Sequence, residues 1–450
     1  MRILFYSASP SRFDSSKVQS VILPSWGEQW DSLARAHPEH EFIIASQPSG
    51  MFLPDMSEDT ADGGKAHILH KIIKNDKEAD IAEELSALRP DMAVALSSYS
   101  PPYDWFPIKD AMIADFLRDK GIKTICHPVE TGLICFDKWR AHEFFSRAGA
   151  PRAEALYLHH ELFINAGNRR ELKSNVFSDS LLHQMRRMRF PLIIKDTTGL
   201  SSLGADVVKS FDEAAGVLRS KKTTSDRIIE EMICGEHFGT EIYGSGGNYD
   251  ILPPFMMSVN KYGITSPKQS LKAGPLPTGS EESESRYRLS ELRDTLLHLA
   301  RELRLDGIAQ TDLVFDGEKW FVIEVNPRLS GMSPAYAASA GIPLGEMVFK
   351  KLIGPGKPED IKFSPTLSIK FPVLERGLLY KLKSLPYVGF VGQIENKGAR
   401  QIRERGYCEV ILTGETKERL KENAMDMLEK FPALSRKDFF DTAAGMLGRL

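Results

Sequence analysis

Asp312-Leu-Val-Phe-Asp316-Gly317-Glu-Lys-Trp-Phe-Val-Ile-Glu324-Val-Asn326-Pro-Arg328 reads as two strands joined by a tight turn at Asp316-Gly317. An acid opens the first strand. Glu324, Asn326 and Arg328 fall at every second position at the end of the next, and alternate side chains of a strand share a face. The hairpin then brings Asp312 beside them. Carboxylate and amide oxygens suit Mg²⁺, a hard cation that keeps several waters and binds phosphates. An arginine next to them can hold a phosphate or carboxylate bidentately. The set points to a site for metal-bound ATP. The same pattern fits a surface hairpin with a polar outer face, Val322, Ile323 and Val325 packing inward. The rest of the chain decides between the two.

Bulk properties exclude several classes. A chain of 450 residues is long enough for about two to four domains. Hydrophobic content of 42% and charged content of 26% are those of an ordinary soluble globular protein. A net charge of −3 gives no global electrostatic case for nucleic acid or an anionic membrane. Cys126, Cys135, Cys234 and Cys408 are scattered with no C-x-x-C pair, which fits a reducing compartment and no zinc site. The apolar run after Met1 is too short for a signal-peptide core, and no run approaches a spanning helix. The expected location is cytoplasmic, with no nucleic-acid or membrane partner.

Residues 2–6 and 41–45, Asp91–Ser97 and Gly121–Cys126 read as strands alternating with helical segments at 76–88 and 108–119. That order suggests a small parallel α/β domain. It lacks a G-x-G-x-x-G turn after its first strand, which argues against a dinucleotide site there. Asp137 is a plausible N-cap for a helix beginning at Lys138 and closing near Gly149. Residues 159–187 are polar and basic and read as a solvated face without the aromatic interleaving of a nucleic-acid groove. Residues 260–285 read as a long Gly-, Pro-, Ser- and Lys-rich loop. Leu289, Leu292, Leu296, Leu299 and Leu303 mark an amphipathic helix. After Pro355, Pro358 and Pro365 a further unit begins, with short strands near 367–371 and 407–412 and a helix from Thr416 to Lys430.

Lys195-Asp-Thr-Thr-Gly199-Leu-Ser201-Ser202-Leu-Gly204 joins two strands. Glycines let backbone N–H groups converge on an anion, and hydroxyls add donors. Lys195, ending the preceding strand, can place its ammonium on a phosphate. It is not a Walker loop, and a plain hairpin connection has the same composition. Glu230-Glu231-Met232-Ile233 ends a strand and Gly235 releases the chain into a turn. Such a hinge exposes backbone groups that can read an adenine edge, or simply ends a strand with two acids.

Taken in order, these elements resemble the ATP-grasp superfamily over about residues 130–350. The resemblance rests on the lysine helix, Pro191-Leu-Ile-Ile-Lys195, the small-residue loop, the Glu-Glu-Met-Ile hinge, and Asp312 followed by Glu324-Val-Asn326-Pro-Arg328. It implies an α/β protein with an ATP-grasp fold, an N-terminal parallel α/β domain (1–129) and a C-terminal α+β domain (356–450). The ATP-grasp domain (130–355) would carry a mobile lid at about 188–245. Position by position, Lys138 and Lys195 look like the phosphate lysines, and Ser201, Ser202 and Gly204 like the lid over the phosphates. The backbone of Glu231 and Ile233 would read adenine, with Glu230 alongside. Asp312, Glu324 and Asn326 look like ligands of two Mg²⁺ ions, for which Mn²⁺ can substitute, and Arg328 like the catalytic arginine. The ribose position after the hinge, often glutamate in the family, falls on His237 in this register with Glu236 beside it, and either can hold the ribose. Gln310 resembles a metal ligand of carbamoyl-phosphate synthetase relatives and ranks below Asp312.

Bacterial L-amino acid ligases share this layout. The resemblance therefore implies an ADP-forming carboxylate–amine ligase acting through an acyl-phosphate on amino-acid-like substrates, and leaves room for a homodimer. Leu329-Ser-Gly-Met332-Ser should line the substrate cavity, and Lys261, Lys268 or Lys272 can meet a substrate carboxylate or simply be solvated. The alternatives are a biotin carboxylase-like enzyme and a nucleotide-binding regulator without catalysis.

Overall fold

A computed structural model describes residues 1–8, 18–47, 68–98, 105–164, 174–199, 204–220, 223–260, 263–265, 271–354, 361–396, 406–434 and 437–450. Ser201, Ser202, Lys261 and Lys268 lie outside the described residues.

The chain begins with β1 (Arg2–Ser7), an apolar strand buried along nearly its whole length. β2 (Val18–Leu23) leaves for a different sheet. β3 (Glu41–Ser46), β4 (Ile68–Ile72), β5 (Met92–Ala95) and β6 (Lys123–Ile125) complete a parallel sheet in the order β4-β3-β1-β5-β6. Both faces of such a sheet are covered, so its strands are apolar throughout rather than alternating. On one side Ile81, Leu85, Ile113 and Leu117 of helices Glu78–Ser86 and Phe106–Asp119 pack on Leu4 and Ile43. On the other lies helix Trp26–Ala36, which opens with a reciprocal capping box between Ser25 and Glu28. Its Trp30 lies against Phe5, with ring centroids 5.2 Å apart.

Asp137 caps helix Lys138–Arg147, its carboxylate accepting from Trp139 N–H (2.8 Å) and Arg140 N–H (3.0 Å). That cap sets Lys138 at the helix start. A small antiparallel sheet follows, from β7 (Ala155–Leu158), β8 (Leu192–Asp196), β9 (Asp206–Val208) and β10 (Arg227–Glu231), in the order β7-β10-β8-β9. The basic stretch read as a solvated face contains helix Val176–Met185. Leu181, Leu182 and Met185 recur at helical spacing among the charges and pack on Leu158, Ile194 and Ile229.

The largest sheet is antiparallel. It uses β11 (Glu236–Ser245), β12 (Asn248–Ile251), β13 (Phe255–Met257), β14 (Leu271–Gly274), β15 (Gly307–Phe315), β16 (Trp320–Asn326), β17 (Thr366–Phe371), β18 (Val388–Asn396) and β19 (Gly406–Thr413). The order is β16-β15-β11-β13-β14-β17-β19-β18-β2, with β12 folded against β11. The last three strands of the chain thus extend the sheet that carries the opening hairpin, and β2 pairs with β18 at its far end. The stretch read as a long loop holds β14 and helix Glu281–Tyr287. Leu271 and Ala273 are too few to show strand alternation, yet both are buried between β13 and β17. Helix Leu289–Glu302 buries Leu292, Leu296 and Leu299 in one stripe. Among the described residues no helix is long and apolar enough to cross a membrane.

Candidate active site

β15 and β16 form the expected hairpin, with one difference. Asp312 sits two-thirds of the way along β15, because Gly307–Thr311 already belong to the strand and pair with β11. The turn is held by Asp316, whose carboxylate accepts from Glu318 N–H (2.8 Å) and Lys319 N–H (2.9 Å), while Gly317 takes φ +102°. Asp312 is the cross-strand partner of Glu324, and Gln310 that of Asn326. The register shifts just after Asp312, a bulge that leaves Ile323 as the extra residue. Ile323 packs with Ala153, Ile233 and Val314 to make an apolar wall next to the acids.

Burial and, after it, the Glu324 charge push the Asp312 carboxyl up to about 6, against the pull of Gln310, Arg328 and Lys195. A buried carboxyl facing a second one across the hairpin calls for a cation. Gln310 Nε2 donates to Asp312 Oδ1 (2.6 Å), Asn326 Nδ2 to Gln310 Oε1 (3.0 Å), and Arg328 Nη2 to Asn326 Oδ1 (3.0 Å). A chain of amides thus ties the arginine to the acids. Among the described residues no three His, Cys, Asp or Glu side chains cluster as a metal cage. The donor set is two carboxylates plus amide oxygens, which fits Mg²⁺ completed by waters and phosphates rather than zinc.

Lys138 Nζ donates to the Gly199 carbonyl (2.8 Å) and lies 3.9 Å from Glu324 Oε1. Lys195 Nζ lies 2.5 Å from Glu230 Oε2. Burial disfavours the Lys195 ammonium, but Glu230, Glu324 and Asp312 outweigh it and its pKa is raised, so it stays charged. Gly204 (φ +77°) closes the loop, and its carbonyl accepts from Arg227 (3.2 Å).

At the other end of the cleft, Glu231 N–H donates to the Glu154 carbonyl (2.9 Å) and Met232 N–H to Pro191 (3.0 Å). The Glu231 carboxylate turns to Arg189, accepting from its N–H at 2.7 Å. The Glu231 and Met232 amides are thus already bonded, and Glu231, Met232 and Ile233 line the cleft. A Cβ on Gly235 would stand 2.2 Å from the Phe315 carbonyl, so the turn there requires glycine. Alternation on β11 separates Glu236 from His237. His237 lines the cleft with Lys195, Glu230, Ile233, Asp312 and Glu324. Glu236 accepts from Tyr287 Oη (2.9 Å) and Arg449 Nη1 (2.9 Å), away from it. Ala153, Ile193 and Met257 also line the cleft. They are ordinary apolar residues that carry no sequence signal.

Arg328 is buried just past β16, its Nη1 also reaching the Leu329 carbonyl at 3.2 Å. Glu241, fully buried on β11, accepts from Ser330 (2.9 Å), Ser333 (2.5 Å) and Tyr243 (3.0 Å) and was not singled out from the sequence. Burial pushes its carboxyl up to about 7 against those hydroxyls. Lys272 is not solvated: it pairs with Glu409 at 2.9 Å.

A family model of the ATP-grasp domain matches residues 169–332. The arginine-specific carbamoyl phosphate synthase large chain of Geobacillus stearothermophilus is 23% identical over 210 residues, 44% of this chain and 19% of that one. The chain thus matches less than a fifth of that relative's length. N5-carboxyaminoimidazole ribonucleotide synthetase from Thermus thermophilus aligns with a TM-score of 0.61 at 12% identity, covering 96% of this chain and 98% of the other. L-amino acid ligase from Bacillus licheniformis aligns with 0.61 at 15%, covering 96% and 97%. The biotin carboxylase domain of Hydrogenobacter thermophilus 2-oxoglutarate carboxylase aligns with 0.58 at 15%, covering 95% and 89%. At such identities these likenesses establish the fold.

Proposed function

We propose, from the premise that this chain carries an ATP-grasp domain on an ATP-grasp fold, that the protein is an ADP-forming ligase that joins a carboxylate to an amine, with amino acids as substrates. The observation that carries the proposal is the arrangement along one cleft. Glu324 lies 3.9 Å from Lys138, and its cross-strand partner Asp312 is linked through Gln310 and Asn326 to Arg328.

In this reading the Glu231 carbonyl and Ile233 amide read adenine, and His237 takes the ribose. Lys138 and Lys195 would lie along the phosphates, with Glu230 fixing Lys195, and Gly204, with Ser201 and Ser202 before it in the sequence, would cover them. Asp312, Glu324 and Asn326 would hold Mg²⁺, two ions or Mn²⁺ in their place. The bound cation would neutralise charge on the phosphate oxygens. Phosphoryl transfer is catalysed mainly by such positioning and neutralisation. A substrate carboxylate held by Arg328 attacks the γ-phosphorus, and the bond to the β-phosphate oxygen breaks to release ADP. The amine nitrogen then attacks the acyl carbon, phosphate leaves with the former carboxylate oxygen, and the ammonium proton is lost.

The test is a screen of ADP release across pairs of amino acids, with mass detection of the products, including arms with bicarbonate and with bicarbonate plus free biotin. An amide product from a pair supports the proposal. ADP release that needs bicarbonate and biotin would replace it with the carboxylase reading, and MgATP binding without turnover on any pair with the regulator.

A further inference from the structure

The loop that follows Arg328 is held from three sides. Leu329 N–H donates to the Ser97 carbonyl, just beyond β5 (2.9 Å). Ser330 and Ser333 donate to Glu241 on β11. Gly331 is held through its carbonyl by Lys272 Nζ. Lys272 belongs to β14, and the same ammonium donates to Glu409 Oε1 on β19 at 2.9 Å. Ser368 Oγ on β17 donates to that oxygen at 2.6 Å. Lys272 is the cross-strand partner of Ser368, and Ser368 of Ile411, two residues from Glu409. All three side chains therefore project from one face of the sheet. Followed strand by strand through Met257, His237 and Gly239, this is the face that bears Asp312 and Glu324.

Both charged side chains are only 7% exposed. Burying two ions costs solvation that their attraction barely returns, and a neutral pair of similar volume is often as stable. Stability alone thus gives little reason for the pair. Its geometry gives another: it spans from the strand nearest the end of the chain to a backbone carbonyl three residues beyond Arg328. We propose that Lys272 and Glu409 are positioning residues, through which the C-terminal strands hold Gly331 and so fix Arg328 against the cleft. The consequence for turnover rests on the role given above to Arg328; the mechanical link does not.

The test uses the full chain and the double variant Lys272→Met/Glu409→Gln, which removes both charges at similar volume, with Lys272→Met as the second variant and Lys272→Arg as the conservative control. Hydrogen exchange of the peptide covering Leu329–Ser333 is read beside MgADP affinity and kcat for ADP formation. The expected result for the double variant is exchange about tenfold faster, confined to that loop, from loss of the charge-assisted bond to Gly331. MgADP affinity stays within about twofold, because the bonds removed run to Gly331 and Glu409, which do not line the nucleotide cleft, kcat falls, and Lys272→Arg recovers part of both. Loop exchange equal to that of the natural chain, or acceleration spread evenly over the whole sheet, overturns the proposal. If no amino-acid pair releases ADP with the natural chain, the ligase reading falls while the exchange result still decides this one.

Discussion

Replacing Arg328 by alanine separates chemistry from nucleotide binding. The guanidinium is buried, 3.0 Å from Asn326 Oδ1 and 3.2 Å from the Leu329 carbonyl, at the end of the amide chain leading to Asp312. A positive charge about 4 Å from a transferring phosphoryl group is worth roughly 4 kcal/mol at an effective dielectric near 20. At about 1.4 kcal/mol per tenfold, its loss should slow ADP formation by about a thousandfold. Arg328→Lys should fall between, since a point charge keeps the attraction but not the fork that bonds Asn326 and Leu329 together. Nucleotide affinity should hardly change, because Lys138, Lys195 and the hinge keep their own partners. The assay pairs titration calorimetry with MgADP and a coupled measurement of ADP release, with thermal unfolding to show that the variant folds. Arg328→Ala with near-normal turnover, or with turnover and MgADP binding lost together, would rule out this role for the arginine.

Two further outcomes follow from the geometry. His237→Ala should weaken MgATP by about fivefold, one ordinary hydrogen bond, and abolish the preference for ATP over an analogue lacking the ribose hydroxyls. Glu236→Gln should leave nucleotide affinity alone, since that carboxylate faces Tyr287 and Arg449; isothermal titration of both variants checks the pair. Burial lowers the His127 pKa from 6.5 to about 4. Its Nε2 bonds the Ile308 carbonyl (2.8 Å) and its Nδ1 accepts from Asp306 N–H (3.0 Å), which requires the neutral ring. The unfolded chain binds the proton first, so this contribution is complete above 6.5 and is lost as pH falls toward about 4. His127→Asn should therefore cost about 2 kcal/mol more at about pH 7.5 than at about pH 5 in urea unfolding. An equal cost at both would contradict it.

The hairpin was legible because its chemistry and periodicity coincide: alternate acids and amides at a strand end, opposite another acid, with Asp316-Gly317 for the turn. The N-terminal parallel strands were legible from unbroken apolar runs such as Arg2–Ser7. Helix Lys138–Arg147 was legible from its cap, Asp137. Other features depend on partners far away in the chain. β14 is a strand because β13 and β17 flank it, not because Leu271-Lys-Ala-Gly274 favours one. Whether Glu236 or His237 faces the cleft turns on the register of β11 against β15, and Tyr287 and Arg449 draw Glu236 to the other side. Lys272 read as one of three equivalent lysines. Its partner Glu409 lies 137 residues on, a separation no local pattern bridges. Glu241 carried no signal because its donors, Ser330 and Ser333, approach from beyond Arg328.

In the proposed reaction a carboxylate oxygen attacks the γ-phosphate in the cleft between Lys138, the Asp312–Glu324 pair and Arg328. Turnover of a carboxylate substrate labelled with ¹⁸O in its carboxyl group tests it most directly. Inorganic phosphate should carry one ¹⁸O atom per amide formed, with ADP unlabelled. Unlabelled phosphate, or label recovered in AMP, would contradict it.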